Sequence, residues 1–386
     1  MTFAPPAADL DWSKLGLAVT DIVNGHVECH YNPATQTWGA PTFVEDPYLR
    51  IHGLSTGLNY GQQIYEGLKA TRSPTNEILL FRAPKHATRM VHSATLVSIP
   101  PIPPTLFLDA IRLAVSENAP FVPPHSSNAA LYIRPLAFGT GGHFALTPPP
   151  NYLFAVYVQP FGTYHGTSAA DALVIEEFDR AAPRGTGNGK VGGNYAPVMR
   201  FTEKARAEGF PLTLHLDSLT QMEVDEFSTS GFLGIRKDEE GKVTLVVPDS
   251  GSVIESVTSD SVQGIARVLG WGVEKRRIPW DTVGQFTEVM AAGTAAAVVP
   301  IRSITRRSTG EKLEFESGPL CLELLTRLRK IQRGEGGEEF ADWVEAVKAP
   351  ETVYEKYGVK EGTNGVAKEI SNGVTNGSNG VSNGVH

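Results

Sequence analysis

The chain has 386 residues, 41% of them hydrophobic and 20% charged, with a formal net charge of −8. That length leaves room for two domains with separate cores, and the acidic balance argues against nucleic acid or an anionic membrane as the main partner. Two cysteines, Cys29 and Cys321, are too few for a disulfide framework or a cysteine-rich zinc site, so no metal centre is expected.

In chain order, the N-terminus lacks a basic region followed by an apolar core, and it lacks the arginines of a transit peptide. No apolar run nears the roughly 20 residues that span a bilayer. The expectation is a soluble cytoplasmic protein, with a mitochondrial address as the alternative. Met90, Ala94 and Val97 recur at helical spacing and predict a helix over 84–98. Runs rich in β-branched and aromatic residues predict strands over 130–138 and 152–159. Pro, Gly, Thr and His then crowd the segment 160–167, the best candidate for a connection between domains. We therefore divide the chain into an N-terminal domain, 1–160, a linker, 161–170, and a C-terminal domain, 171–357. In the latter, Pro197 starts a helix that Gly209 stops, and Thr258 caps a helix over 259–269 ended by Gly270. The tail, 358–386, repeats Asn-Gly at 364, 372, 376, 379 and 383 and is expected to be disordered.

The stretch Gly185-Thr-Gly-Asn-Gly-Lys190-Val-Gly-Gly-Asn-Tyr195 sets one lysine among five glycines. Glycine permits close backbone approach and positive φ, so a lone amine here suggests a covalent hand on a cofactor. Read alone, such a loop is more often solvated surface than site. Glu255-Ser256-Val257-Thr258 brings backbone amides and a hydroxyl to a helix start, where an anion can bind, and Arg89 could add a cation. Read locally, these are more often an ordinary helix cap and a solvated surface charge. Among Glu223, Asp225 and Glu226, a carboxylate between apolar neighbours could hold a heterocyclic nitrogen protonated, or mark a charged turn.

Four stretches together narrow these alternatives. They are Gly57-Leu-Asn-Tyr60-Gly-Gln-Gln-Ile-Tyr65-Glu-Gly-Leu-Lys-Ala70, Leu131-Tyr-Ile-Arg134-Pro-Leu, Lys190-Val-Gly-Gly-Asn-Tyr195-Ala-Pro and Ala292-Gly-Thr294-Ala295-Ala. In order and spacing, over about 10–350, the chain resembles the branched-chain aminotransferases, which are fold-type IV enzymes using pyridoxal 5′-phosphate. The resemblance implies an α+β fold, with a small N-terminal α/β domain and a larger C-terminal pseudo-barrel domain. It implies that Lys190 binds the cofactor covalently and is the catalytic base. Tyr195 would bond the phenolic oxygen, Glu226 would face the pyridine nitrogen, and Arg89, Val257, Thr258 and Thr294 would hold the phosphate. Tyr132, Thr294 and Ala295 would receive the substrate α-carboxylate and Arg134 the side-chain carboxylate of glutamate, with Tyr60 and Tyr65 lining the side-chain pocket. The loop of Phe144 and Leu146 would reach a neighbouring subunit, since the family assembles at least as dimers.

The implied activity moves an amino group between leucine, isoleucine or valine and 2-oxoglutarate in ping-pong fashion. Its partners are small amino and 2-oxo acids. The chain departs from the family at Ser228 and Gly231, where a glycine and an asparagine are usual. At Tyr65 phenylalanine is usual, and Ala296 and Val299 stand where some relatives carry a redox-sensitive cysteine pair. These departures fit the alternative of a biosynthetic aminotransferase of the same family acting on an unusual 2-oxo acid. A non-catalytic protein that merely stores the cofactor is the rival from a different class.

Overall fold

The computed structural model describes residues 3–359 apart from 17, 21, 163–167 and 317. Part of the 161–170 linker and nearly all of the Asn-Gly tail therefore lie outside the described residues. Strands rich in alternating or continuous apolar residues assemble into two sheets of nine strands each. In the first, Ala130–Gly139 and Tyr152–Phe161 form the long central antiparallel pair, in register from Ala130 opposite Phe161 to Gly139 opposite Tyr152. Leu68–Arg72 and Ile78–Phe81 extend it on one side and His26–Asn32 on the other. Gln63–Tyr65 pairs separately with Ala130–Gly139.

The helices Ala83–Leu96 and Pro104–Glu117 cover this sheet, burying Met90, Ala94, Phe107 and Ile111 against Ile133 and Phe154. The chain returns late to the same layer. Strand Val344–Ala346 pairs with the edge strand Ile78–Phe81, and Val353 and Tyr354 join its core. An edge strand gains hydrogen-bond partners this way, and helical periodicity gives no sign of it.

The second sheet is mixed and closes on itself. Six strands run in the ring order Val224–Phe227, Leu212–Leu216, Ala170–Val174, Ala297–Arg306, Glu288–Gly293 and Ser230–Lys237, and the last pairs back to the first. Closure removes edges and gives the barrel an interior filled by Phe227, Phe232, Val289 and Ile301. The helices Val257–Val268 and Pro319–Gln332 pack outside it on a further core. This is the α+β, pseudo-barrel architecture that the resemblance implies. Both cysteines are buried free thiols. Among the described residues no helix is long and apolar enough to cross a membrane, and no His, Cys, Asp and Glu cluster could hold a metal.

Two local expectations need correction. The second-domain helix begins at Val257, and its N-cap is Ser256, whose Oγ accepts from the Ser259 N–H at 3.2 Å. Thr258 lies inside the first turn, because Ser256 holds the extended conformation that a cap requires. Pro197 falls in a short 3-10 turn, Ala196–Val198, and the α-helix proper is Met199–Ala207.

Candidate active site

The Lys190 loop is pinned on two sides, to a strand of the first sheet and to the helix Ala83–Leu96. The Tyr65 N–H donates to the Lys190 carbonyl at 3.1 Å, and the Lys190 N–H donates to Ser93 Oγ at 3.0 Å. Asn194 closes the loop from within, giving its side-chain N–H groups to Thr186 O and Gly189 O at 2.7 and 3.1 Å. None of the five glycines has positive φ. Three of them give close approach to protein atoms: a Cβ would sit 2.2 Å from Ala181 Cβ on Gly187, 2.4 Å from Leu96 Cδ1 on Gly189 and 2.9 Å from Gln63 Cγ on Gly192, whereas Gly193 faces open space. The lysine is thus held by backbone packed too tightly for side chains.

From that backbone the Lys190 amine reaches Tyr195, with Nζ 3.3 Å from its hydroxyl, and stands 4.3 Å from the centre of the Tyr65 ring. The Tyr65 and Tyr195 rings meet edge to face at 5.1 Å. Burial first, then the neighbouring Tyr195, push the Tyr65 phenol well above its usual value, so it remains a neutral hydroxyl. Arg134 lies over the same ring at 4.9 Å and donates to the Tyr132 hydroxyl at 3.2 Å. Tyr132 in turn needs Gly67, where a Cβ would lie 2.1 Å from its hydroxyl oxygen. Lys190, Tyr195, Tyr65, Arg134 and Tyr132 therefore form one continuous group of contacts.

Arg89 leaves the helix Ala83–Leu96 and meets the start of Val257–Val268, donating Nη1–H to the Glu255 carbonyl at 2.9 Å. Its Nε and Nη2 donate to the two oxygens of Glu66 at 2.6 and 2.7 Å. Nη2 also lies 3.3 Å from His86 Nδ1; of the five N–H donors of a guanidinium, the second on Nη1 has no partner among the described residues and suits an anion at this helix start. Val257 and Thr258, both buried, form the first turn there. Thr294 and Ala295 lie on the turn between Glu288–Gly293 and Ala297–Arg306. Tyr60 takes a different course, its hydroxyl donating to the Phe144 carbonyl at 2.7 Å.

The three carboxylates of the acidic cluster separate clearly. Glu223 pairs loosely with exposed Arg277 at 3.5 Å. Asp225 is buried, which raises its carboxyl above the ordinary value. Glu226 is only 4% exposed; it forms an ion pair with Arg180 and accepts from the Ile254 N–H at 3.3 Å. Burial raises its carboxyl from 4.5 to about 7, although Arg180 pulls the other way. Without a cofactor, this raised value means a stability contribution that is full below pH 4.5 and lost as pH rises through about 7. Glu226→Gln should remove that pH dependence from the thermal unfolding of the apoprotein. A slope unchanged in this window would contradict the assignment.

Sequence reasoning misses Glu66, His86, Arg180 and His215. Glu66 carries a signal, being an acid within the strand-like Tyr65-Glu66-Gly67-Leu68 run, where burial demands a cation. Arg180 and His215 carry none, since Arg180 meets Glu226 and His215 meets Ser228 only once Leu212–Leu216 and Val224–Phe227 have paired and the chain around them has folded. Ser228, where the family usually has glycine, bridges Thr213 Oγ1 and His215 Nε2 at 2.5 and 2.7 Å.

These residues suit pyridoxal 5′-phosphate: an amine beside a phenol, a buried carboxylate that feels the charge of that amine, and a cation at a helix start. Known proteins agree. The chain is 54% identical over 336 residues to the aminotransferase atnJ of Emericella nidulans, covering 85% of this chain and 96% of that one. It is 49% identical to the branched-chain amino acid aminotransferase gloG of Glarea lozoyensis, covering 90% and 98%. The crystal structure of the Thermobaculum terrenum branched-chain amino acid aminotransferase in its pyridoxal-phosphate form shares the fold. It matches with a TM-score of 0.66 at 21% identity, over 84% of this chain and 99% of that one. Residues 63–304 match amino-transferase class IV, and the chain belongs to that family of pyridoxal-phosphate-dependent aminotransferases.

Proposed function

We propose that the enzyme transfers the amino group between branched-chain L-amino acids (leucine, isoleucine and valine) and 2-oxoglutarate in two alternating half-reactions. The observation that carries this reading is the unbroken contact from Lys190 through Tyr195 and Tyr65 to Arg134. That contact supports Lys190 as a base, Tyr195 as a neutral donor, Tyr65 as an aromatic wall and Arg134 as a cation for a second carboxylate. The relative named a branched-chain amino acid aminotransferase supports the substrate class.

Bound here, pyridoxal 5′-phosphate supplies the electron sink that lets a proton leave the substrate Cα. Lys190 Nζ would take that proton and pass it on to the cofactor, with the Tyr195 hydroxyl, 3.3 Å away, orienting the amine. Glu226 sets a carboxylate toward the ring nitrogen. Arg89, Val257, Thr258 and Thr294 hold the phosphate. Tyr132, Thr294 and Ala295 receive the α-carboxylate, while Tyr60 and Tyr65 bound the side chain.

One observation favours a second reading. A cavity of about 540 Å³ runs from Tyr132, Arg134 and Ala295 outward to Val19, Val23 and Pro47. Pockets of about 300–1,000 Å³ accommodate ligands far larger than leucine, which suits a bulkier 2-oxo acid. The two readings separate on kcat/KM for leucine, isoleucine and valine measured beside longer straight-chain and aromatic amino acids. The first expects a branched-chain substrate within about tenfold of the best, a difference of about 1.4 kcal/mol. No measurable branched-chain turnover would leave the second.

Assembly as a homodimer is part of this proposal. Phe144 is 78% and Leu146 86% exposed, beside the carbonyl that fixes Tyr60. Large exposed apolar side chains on one loop suit burial by a second copy. Light scattering should give a dimer, and Phe144→Asp with Leu146→Glu should shift it toward monomer. A monomeric parent protein at micromolar concentration would contradict this.

A further inference from the structure

Beside the Gly293–Ala297 turn is a crevice between the two sheets, next to the cavity that Tyr132 lines and sharing Phe161 and Ala295 with it. Lys69 and Thr71 of the first sheet form one wall, and Arg329, Gln332 and Arg333 of the helix Pro319–Gln332 and its end form another. No carboxylate lines it among the described residues. The neighbouring residues 163–167, outside the described set, contain none in sequence either. Lys69 Nζ donates to the Ala295 carbonyl at 3.0 Å and lies 5.2 Å from the Phe161 ring centre. Burial, and then Arg329, lower its ammonium to about 7. Arg333 is committed to Ser127 O at 2.6 Å. The Arg329 side chain, half-buried, has no hydrogen bond or ion pair with another described residue. Cations converging without a counter-charge repel one another and cost desolvation, unless an anion joins them.

The geometry points to an anion-binding site in this crevice, taking a compact oxyanion, carboxylate or phosphate, between Lys69 and the Arg329 guanidinium. It is distinct from the helix start at Val257, where Arg89 stands. An occupant would link the first sheet, the outer helix and, through Lys69, the Ala295 carbonyl.

Calorimetry on the fully cofactor-loaded holoenzyme, near pH 7 and at constant ionic strength, tests this with inorganic phosphate and, separately, with acetate. Saturable binding of either, weakened about tenfold or more by Arg329→Gln, is expected for a lost charge-assisted hydrogen bond. Arg329→Lys should retain most of it, which guards against a mere folding defect. Whichever anion binds more tightly through Arg329 identifies the chemistry. Binding equal in the parent, Arg329→Gln and Arg329→Lys proteins would place the anion elsewhere and overturn the site. So would the absence of saturation by both anions in the parent. Because the measurement needs no turnover, its failure is separate from any failure of the proposed transamination.

Discussion

Replacing Lys190 with alanine should lower turnover by at least about 10⁴-fold, since covalent attachment and proton transfer both depend on one amine. The loop itself should survive. It is held by backbone bonds to Tyr65 and Ser93 and by Asn194, none of which involves the lysine side chain. The variant should therefore fold with parental stability and lose the visible absorbance of lysine-bound cofactor. Kinetics and an absorption spectrum on the same sample check both parts. Substantial turnover in Lys190→Ala would remove the base from the mechanism.

The second large effect is expected at Glu66. Its carboxylate is fully buried and accepts from Arg89 Nε and Nη2 and from His86 Nδ1, all within 2.6–2.7 Å. Burial alone would raise this carboxyl; Arg89 and then His86 outweigh it and hold it well below the ordinary 4.5. The pair's contribution is thus present above that ordinary value and is lost only as pH falls through the depressed one. Glu66→Gln leaves the Arg89 charge buried without compensation, which costs about 3–5 kcal/mol. It also frees the guanidinium that is proposed to hold the phosphate, so cofactor affinity should fall as well. Denaturant unfolding and cofactor titration measure the two losses. A change in stability under about 1 kcal/mol would show that the pair does not anchor the site as its geometry suggests.

What is legible in the sequence follows the range of the interactions involved. The helix Ala83–Leu96 and the strand pair Ala130–Gly139 and Tyr152–Phe161 are readable because periodicity and β-propensity are local. Lys190, Tyr195, Glu226 and Arg134 are readable only as motifs, because their meeting depends on both sheets. Closure of the barrel through Val224–Phe227 and Ser230–Lys237 leaves no local trace, nor does the pairing of Arg180 with Glu226. The cap falls at Ser256 and not at Thr258 because one turn holds two candidate hydroxyls, which sequence alone cannot rank. The glycines of the lysine loop do relieve crowding, but what they approach is Ala181 and Leu96, with no positive φ required.

The most direct measurement is a single half-reaction. Holoenzyme is mixed with excess leucine and no 2-oxo acid, and the 2-oxo acid product is counted against active sites while the absorption spectrum is recorded. About one product per chain is expected, with loss of the lysine-bound absorbance and its return when 2-oxoglutarate is added, as two half-reactions sharing Lys190 require. No product and no spectral change with leucine, isoleucine or valine, on enzyme that carries its cofactor, would contradict the proposed branched-chain transamination.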